Sequence, residues 1–141
     1  MARRTISDLL SEARAGLGHR PTPSEAHAAA QAGEAVLVDI RAGDVLARDG
    51  AIPGAIHHQR TVIEWRADPD CEWRDDRIAD LEAPLVLFCS QGYASSLAAQ
   101  TLREMGFKRV TDIDGGFDAW KDEGLPVEYP HDGSAGTGGR P

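Results

Sequence analysis

Residues 85–96, Leu85-Val86-Leu87-Phe88-Cys89-Ser90-Gln91-Gly92-Tyr93-Ala94-Ser95-Ser96, decide the fold. Leu85 to Phe88 is a continuous apolar run of strand length entered through Pro84, the pattern of a strand buried on both faces of a parallel sheet. Beyond it, Leu97, Ala98, Leu102 and Met105 recur at helical spacing. Ser95 and Ser96 are placed to cap that helix, and Gly106 marks its end. Cys89 therefore falls on a loop that hands a buried strand to a helix N-terminus. Unpaired N–H groups and the positive dipole end favour thiolate over thiol there. Gly92 lets the backbone turn with its amides inward, a nest for an anion made by residues Ser90 to Ser95. The plain alternative is a small core residue at a strand end, because free cysteine is among the most buried residue types.

Upstream, Ile6 to Ala15 places Ile6, Leu9, Leu10 and Ala13 on one side of a helix with Thr5 or Ser7 near its start. Residues 1–20 read as an N-terminal helical extension. Pro21-Thr22-Pro23 breaks it, and a second helix runs through Gln31, capped by Thr22 or Ser24 and stopped by Gly33. Val36-Leu37-Val38 is a buried strand ending in Asp39-Ile40-Arg41, and a short helix or turn follows. Gly50-Ala51-Ile52-Pro53-Gly54 is a sharp bend into the strand Ala55-Ile56-His57, and Thr61 to Trp65 is a helical turn. The charged stretch Arg66 to Leu81 carries no readable periodicity. Arg109 to Ile113 is the last strand, and Phe117 to Glu123 is a short amphipathic helix in which Phe117 and Trp120 face the core. Residues 130–141 are Gly-rich and read as a disordered tail.

Strands alternating with helices imply an α/β fold with a parallel sheet covered by helices on both faces. Ligands bind such sheets beyond the carboxyl ends of the strands, where both Asp39-Ile40-Arg41 and Cys89 fall. At 141 residues without a composition break before the tail, one main domain is expected. Lys and Arg total 15 against 23 Asp and Glu, a net charge of −8, which argues against nucleic acid or an anionic membrane as partner. A small anionic ligand would then need a local positive site. No stretch reaches the roughly 18 apolar residues of a membrane span, and the start lacks a signal peptide's apolar region, so the cytoplasm is the expected compartment. Cys71 lies in acidic Asp70-Cys71-Glu72, a setting that disfavours a thiolate, and in a reducing compartment a structural bond to Cys89 is not expected. His57 and His58 are adjacent and face opposite sides of a strand, so no metal is implied, and no cofactor motif is present.

Four segments together resemble the single-domain rhodaneses, over residues 21–129. They are Leu37-Val38-Asp39-Ile40-Arg41, Gly50-Ala51-Ile52-Pro53-Gly54-Ala55, Cys89 with its loop, and Gly115-Gly116-Phe117-Asp118-Ala119-Trp120. The resemblance implies a rhodanese-like, five-stranded parallel sheet flanked by helices on both faces. It implies sulfur transfer: Cys89 takes the outer sulfur of thiosulfate or a persulfide donor and passes it to cyanide or a thiol acceptor, a protein thiol among them. Ping-pong kinetics belong to such a covalent mechanism. Ser90, Gln91, Gly92, Tyr93, Ala94 and Ser95 form the persulfide-binding loop. The chain departs from the pattern in having Ala51 where a histidine is usual, one extra residue between Arg41 and Gly50, and no arginine or lysine in the loop. Charge for an anionic donor then falls to Arg60, which follows the short strand, and to Arg41, whose first role is to pair with Asp39. Arg48 and Arg66 read as surface arginines, and Tyr93 as a stacking platform or a shield for the sulfur.

Two other functions compete. A phosphatase or arsenate reductase of the related fold needs cysteine, five residues, then arginine, and Ser95 stands at the arginine's position, leaving a tetrahedral oxyanion without its clamp. A non-catalytic rhodanese-like module, used for binding, regulation or persulfide carriage, needs no nucleophile, and Cys89 is present.

Overall fold

In the structure, a computed structural model that describes residues 2–130, the chain runs α1 (Ile6–Leu17), α2 (Pro23–Gln31), β1 (Val36–Asp39), α3 (Gly43–Asp49) and β2 (Ile56–His57). It continues through α4 (Ile63–Ala67), β3 (Leu85–Phe88), α5 (Ala94–Glu104), β4 (Thr111–Asp112) and α6 (Gly116–Asp122). The four strands are parallel in the order β2-β1-β3-β4, with Val38 opposite Leu87 at the centre. Side chains alternate across this sheet. Val38, Leu85 and Leu87 join a core with Leu17 of α1, Ile63 of α4 and Ala98, Ala99 and Leu102 of α5. Leu37, Val86 and Phe88 join another with Ala26 of α2 and Phe117 and Trp120 of α6. The layered architecture follows from the two apolar runs, which had to be covered on both sides. The tail, 130–141, lies outside the described residues apart from its first.

The sheet has four strands where five were expected. Residues 19–21 run beside the free edge of β4 but make one backbone bond there, Asp114 N–H to Pro21 O at 2.9 Å. Thr111 Oγ1 adds a bond to His19 O at 3.2 Å. Pro21 has no N–H to donate and Pro23 follows two residues later, so a ladder cannot propagate along this edge.

Helix starts are set by local chemistry. Thr5 and Thr22 accept from the N–H groups of Asp8 and Glu25, whose carboxylates return the bond to the cap backbone, so α1 and α2 both begin with a capping box. The apolar face of α1 is only partly covered: Ala13 and Leu17 are buried, whereas Ile6 and Leu9 are 64% and 40% exposed. The serines expected to cap α5 do not; Tyr93 holds the cap position without a side-chain bond, and both serine side chains turn inward. Met105 is the C-cap of α5, and Gly106 with φ at 110° marks its end as expected.

Within the stretch 66–81, one carboxylate makes the link back to the sheet. Asp75 accepts from His58 Nε2 at 2.7 Å and from the Arg77 guanidinium at 2.6 Å, tying a strandless segment to the end of β2. The Arg77 hydrogen bonds hold the Asp75 carboxyl well below its ordinary 3.8, burial opposes them, and His58 adds to the lowering. A carboxyl with a depressed folded-state pKa stabilises the fold fully above its unfolded value and loses that contribution as pH falls toward the folded one. Asp75→Asn is therefore expected to lower the unfolding free energy in urea at neutral pH by about 2 kcal/mol. The gap to wild type closes as pH drops below about 4. A gap that stays constant down the titration would show that the carboxylate charge is not what matters.

Candidate active site

Cys89 follows the last residue of the central strand β3, at the sheet's carboxyl edge. Its Sγ receives the N–H of Gly92 at 3.2 Å and the N–H of Ser95 at 3.4 Å. Ser95 Oγ lies 3.4 Å from the same sulfur. Gly92, with φ at 86°, makes the turn that folds these amides inward. Cys89 opens onto a cleft of about 310 Å³ lined by Ile40, Arg41, Val45, Ser90, Tyr93 and Ala94 among others, Gln91 included. Tyr93 is 57% exposed at its rim. Beside it, an apolar groove of about 460 Å³ between α1 and α5 shares Tyr93 and Ala94 and is lined by Ile6, Leu10 and Leu97.

The loop is held from one side by α6. The N–H of Phe117 donates to Cys89 O at 2.8 Å and that of Asp118 to Ser90 O at 2.9 Å, so donors that a helix start leaves free are used by the loop carbonyls. This contact requires glycine. Gly116 has φ at 64°, and a Cβ there would stand 2.6 Å from Cys89 O and 2.8 Å from Gly92 N. Gly116→Ala is expected to reduce stability by about 3 kcal/mol, from left-handed strain plus displacement of the loop. It should also slow alkylation of Cys89 per folded molecule, measured with iodoacetamide. Wild-type stability and reactivity together in that variant would mean that the glycine is not what lets α6 clasp the loop.

From beneath, the loop rests on a buried polar cluster. Ser95 Oγ and Ser96 Oγ donate to Asp112 Oδ2 at 2.7 and 2.8 Å, and Arg20 donates to both Asp112 oxygens at 2.8 and 3.2 Å. Burial pulls the Arg20 guanidinium down, but its bonds and charge pairing with Asp112 and Asp114 raise it above the usual arginine value. Gly92 O accepts from Arg14 at 2.7 Å and Arg20 at 3.3 Å. Sequence reasoning missed Arg14, Arg20 and Asp112. Two of them carried a signal: a charged residue within the apolar strand Val110-Thr111-Asp112-Ile113, and an arginine beside buried Ala13 on an amphipathic helix.

The expected cations sit differently. Arg41 lines the cleft, but its guanidinium is buried, paired with Asp39 at 2.7 Å, bonded to Gly50 O at 2.8 Å, and stacked 4.0 Å from the Phe117 ring centroid. Its Nη1 has no acceptor among the described residues. Arg60 is not among the cleft-lining residues; it pairs with Glu64 at 2.7 Å one helical turn on. Arg48 pairs with Asp49 and Arg66 donates to Trp73 O. His57 and His58 go separate ways, to Arg41 O and Asp75. No group of three or more His, Cys, Asp or Glu placed to hold a metal occurs among the described residues. Both cysteines are free, Cys71 accepting the Trp73 N–H.

A parallel sheet that delivers a cysteine to a helix N-terminus, with two backbone N–H groups converging on its sulfur, defines a cysteine-loop α/β protein. The chain belongs to the rhodanese-like domain family, whose model matches residues 22–123. It is 37% identical to the thiosulfate sulfurtransferase GlpE of Stutzerimonas stutzeri (strain A1501) over 113 residues, 80% of this chain and 93% of that protein. A protein of unknown function from Rhodopseudomonas palustris CGA009, described as a possible tyrosine phosphatase, superposes with a TM-score of 0.82 at 35% identity, covering 91% of this chain and 97% of that one. A rhodanese-related protein from Thermoplasma volcanium shares the fold, with a TM-score of 0.61 at 22% identity over 77% of this chain and 97% of that one. Among the described residues no helix is long and apolar enough to cross a membrane.

Proposed function

We propose that this protein is a sulfurtransferase that moves sulfane sulfur from thiosulfate or a persulfide donor, through a persulfide on Cys89, to cyanide or a thiol. The observation that carries the reading is the pair of N–H groups from Gly92 and Ser95 converging on Cys89 Sγ. In the first step the Cys89 thiolate attacks the outer sulfur of thiosulfate. A new S–S bond forms, the S–S bond of thiosulfate breaks, and sulfite leaves with the electron pair. In the second step cyanide or a thiolate attacks the outer sulfur, and Cys89 leaves as thiolate. Fixed amide dipoles suit both steps, because negative charge stays on sulfur throughout and they need not reorganise. Arg41 Nη1 is buried and its guanidinium is paired with Asp39, so the donor's anionic end is proposed to rest on the loop's own amides rather than on Arg41.

The likeness to a possible tyrosine phosphatase brings phosphoryl chemistry forward as a second reading. Ser95 stands where the phosphate-gripping arginine is needed, and its hydroxyl is committed to Asp112. No guanidinium free of a carboxylate lines the cleft among the described residues. Sulfur transfer is therefore the better fit.

Intact mass after brief incubation with thiosulfate tests the proposal. The expected result is a gain of one sulfur atom, removed by cyanide with release of thiocyanate. Absence of a gain with thiosulfate, mercaptopyruvate and an organic persulfide alike would overturn it in favour of a non-catalytic module.

A further inference from the structure

We propose that helix α1 and the segment after it are a working part of the Cys89 site, in which Arg14 of α1 and Arg20 beyond its end are positioning residues that fix the Gly92 peptide from behind and bring positive charge to a loop that has none. The inference deepens the sulfurtransferase reading and rests on it. Both arginines precede the segment 22–123 that matches the family model. Gly92 is the hinge of the site: its N–H donates to Cys89 Sγ at 3.2 Å, and its carbonyl accepts from Arg14 at 2.7 Å and Arg20 at 3.3 Å. The Gly92 carbonyl and the Tyr93 N–H belong to one planar trans peptide and point in opposite directions. Anchoring the carbonyl on the guanidinium pair therefore turns the Tyr93 N–H away from it and removes the freedom a glycine turn would otherwise have. Arg14 Nε also bonds Ser96 Oγ at 3.1 Å in the first turn of α5, and its guanidinium lies 5.5 Å from the Tyr93 ring centroid.

The two arginines differ in charge balance. Arg20 is neutralised by Asp112 at 2.8 Å and Asp114 at 3.3 Å. Arg14 bonds only neutral oxygens and has no direct carboxylate partner among the described residues; Ser96 Oγ stands between it and Asp112, and its positive charge lies behind the loop. Residues Ser90 to Ser95 contain no cation, and Arg60 is paired with Glu64. Arg14 thus supplies from outside the loop what the loop lacks, in a partly buried setting where salt screens weakly. Removing Arg20 would orphan a buried carboxylate and threaten the fold, so Arg14 is the residue to test.

The test is made in a Cys71→Ser background, with rates normalised to the folded fraction. Arg14→Met is expected to slow sulfur uptake from thiosulfate about tenfold, the scale of one lost charge-assisted hydrogen bond. The rate ratio of anionic iodoacetate to neutral iodoacetamide at Cys89 should fall about threefold, and Arg14→Lys should restore it by returning the charge. Arg14→Gln, which retains an amide donor but loses the charge, should lower the ratio as Arg14→Met does, and serves if the methionine variant folds poorly. A merely structural anchor of α1 would slow both alkylating agents by one factor, with lysine no better than glutamine, and that result overturns the proposal, as would no change at all. The alkylation ratio needs no sulfur transfer. If wild type takes sulfur from no donor, the functional reading fails while the ratio still decides the role of Arg14.

Discussion

Cys89→Ser is expected to take up no sulfur from thiosulfate or any persulfide, a loss of at least about a thousandfold, on the scale seen when an enzyme's nucleophile is removed. The hydroxyl that replaces the thiol is a poor nucleophile near neutral pH and forms no counterpart of a persulfide. The variant should keep its fold. Serine is smaller than cysteine by little, and the N–H groups of Gly92 and Ser95 that now point at Sγ find an oxygen instead. The side chain lies at the loop's edge, half-buried, rather than in the fully buried run Leu85 to Phe88. A melting temperature close to wild type, with mass labelling lost, separates loss of chemistry from loss of structure. Cys71→Ser should label as wild type does, because Cys71 sits among Asp70, Glu72 and exposed Trp73 and its sulfur receives one backbone N–H. Sulfur found on Cys71 in the wild type, or on the Cys89→Ser protein at all, would sink the assignment of the nucleophile.

The parts of this site that can be read in the sequence are those made by neighbours along the chain. Leu85 to Phe88, Cys89, Gly92 and the periodic residues of α5 lie within one strand, turn and helix, and local pattern determines them. Asp39 and Arg41 pair two residues apart and were equally visible. What could not be read is the floor of the loop. Arg20 and Asp112 are 92 positions apart, and Arg14 and Gly92 are 78 apart, so no local rule links them. The same hidden carboxylate explains why Ser95 and Ser96 fail as caps: a buried charge outcompetes the helix end for their hydroxyls. Arg60 is different. Its partner Glu64 is four residues on, and a helical turn predicted at Thr61 to Trp65 already placed the two within reach. The missing fifth strand, likewise, was written in Pro21 and Pro23.

Asp112→Asn should be strongly destabilising. The carboxylate is fully buried and accepts from two hydroxyls and two guanidinium nitrogens. Asparagine offers one oxygen and sets an NH2 among those donors, so at least one donor meets another and Arg20 loses its counter-charge. Breaking a buried pair costs about 3–5 kcal/mol. Arg20 keeps some contact with solvent, which places the expected loss near the lower end, about 3 kcal/mol, or roughly 6–12 °C in melting temperature for a chain of this size. Arg20→Met should cost a similar amount, and the double variant Arg20→Met with Asp112→Asn less than the two single losses together, because the second change removes a charge the first left stranded. Additive losses would show that the two side chains do not act as a pair. The consequence reaches the sulfur. With the carboxylate replaced, Ser95 Oγ must compete with Ser96 and Arg20 for the one remaining oxygen, and its proton can instead turn toward Cys89 Sγ, 3.4 Å away. The folded fraction of Asp112→Asn should therefore show altered alkylation kinetics at Cys89, beyond what its lower stability accounts for, and unaltered kinetics would confine the network's role to holding α5 on the sheet.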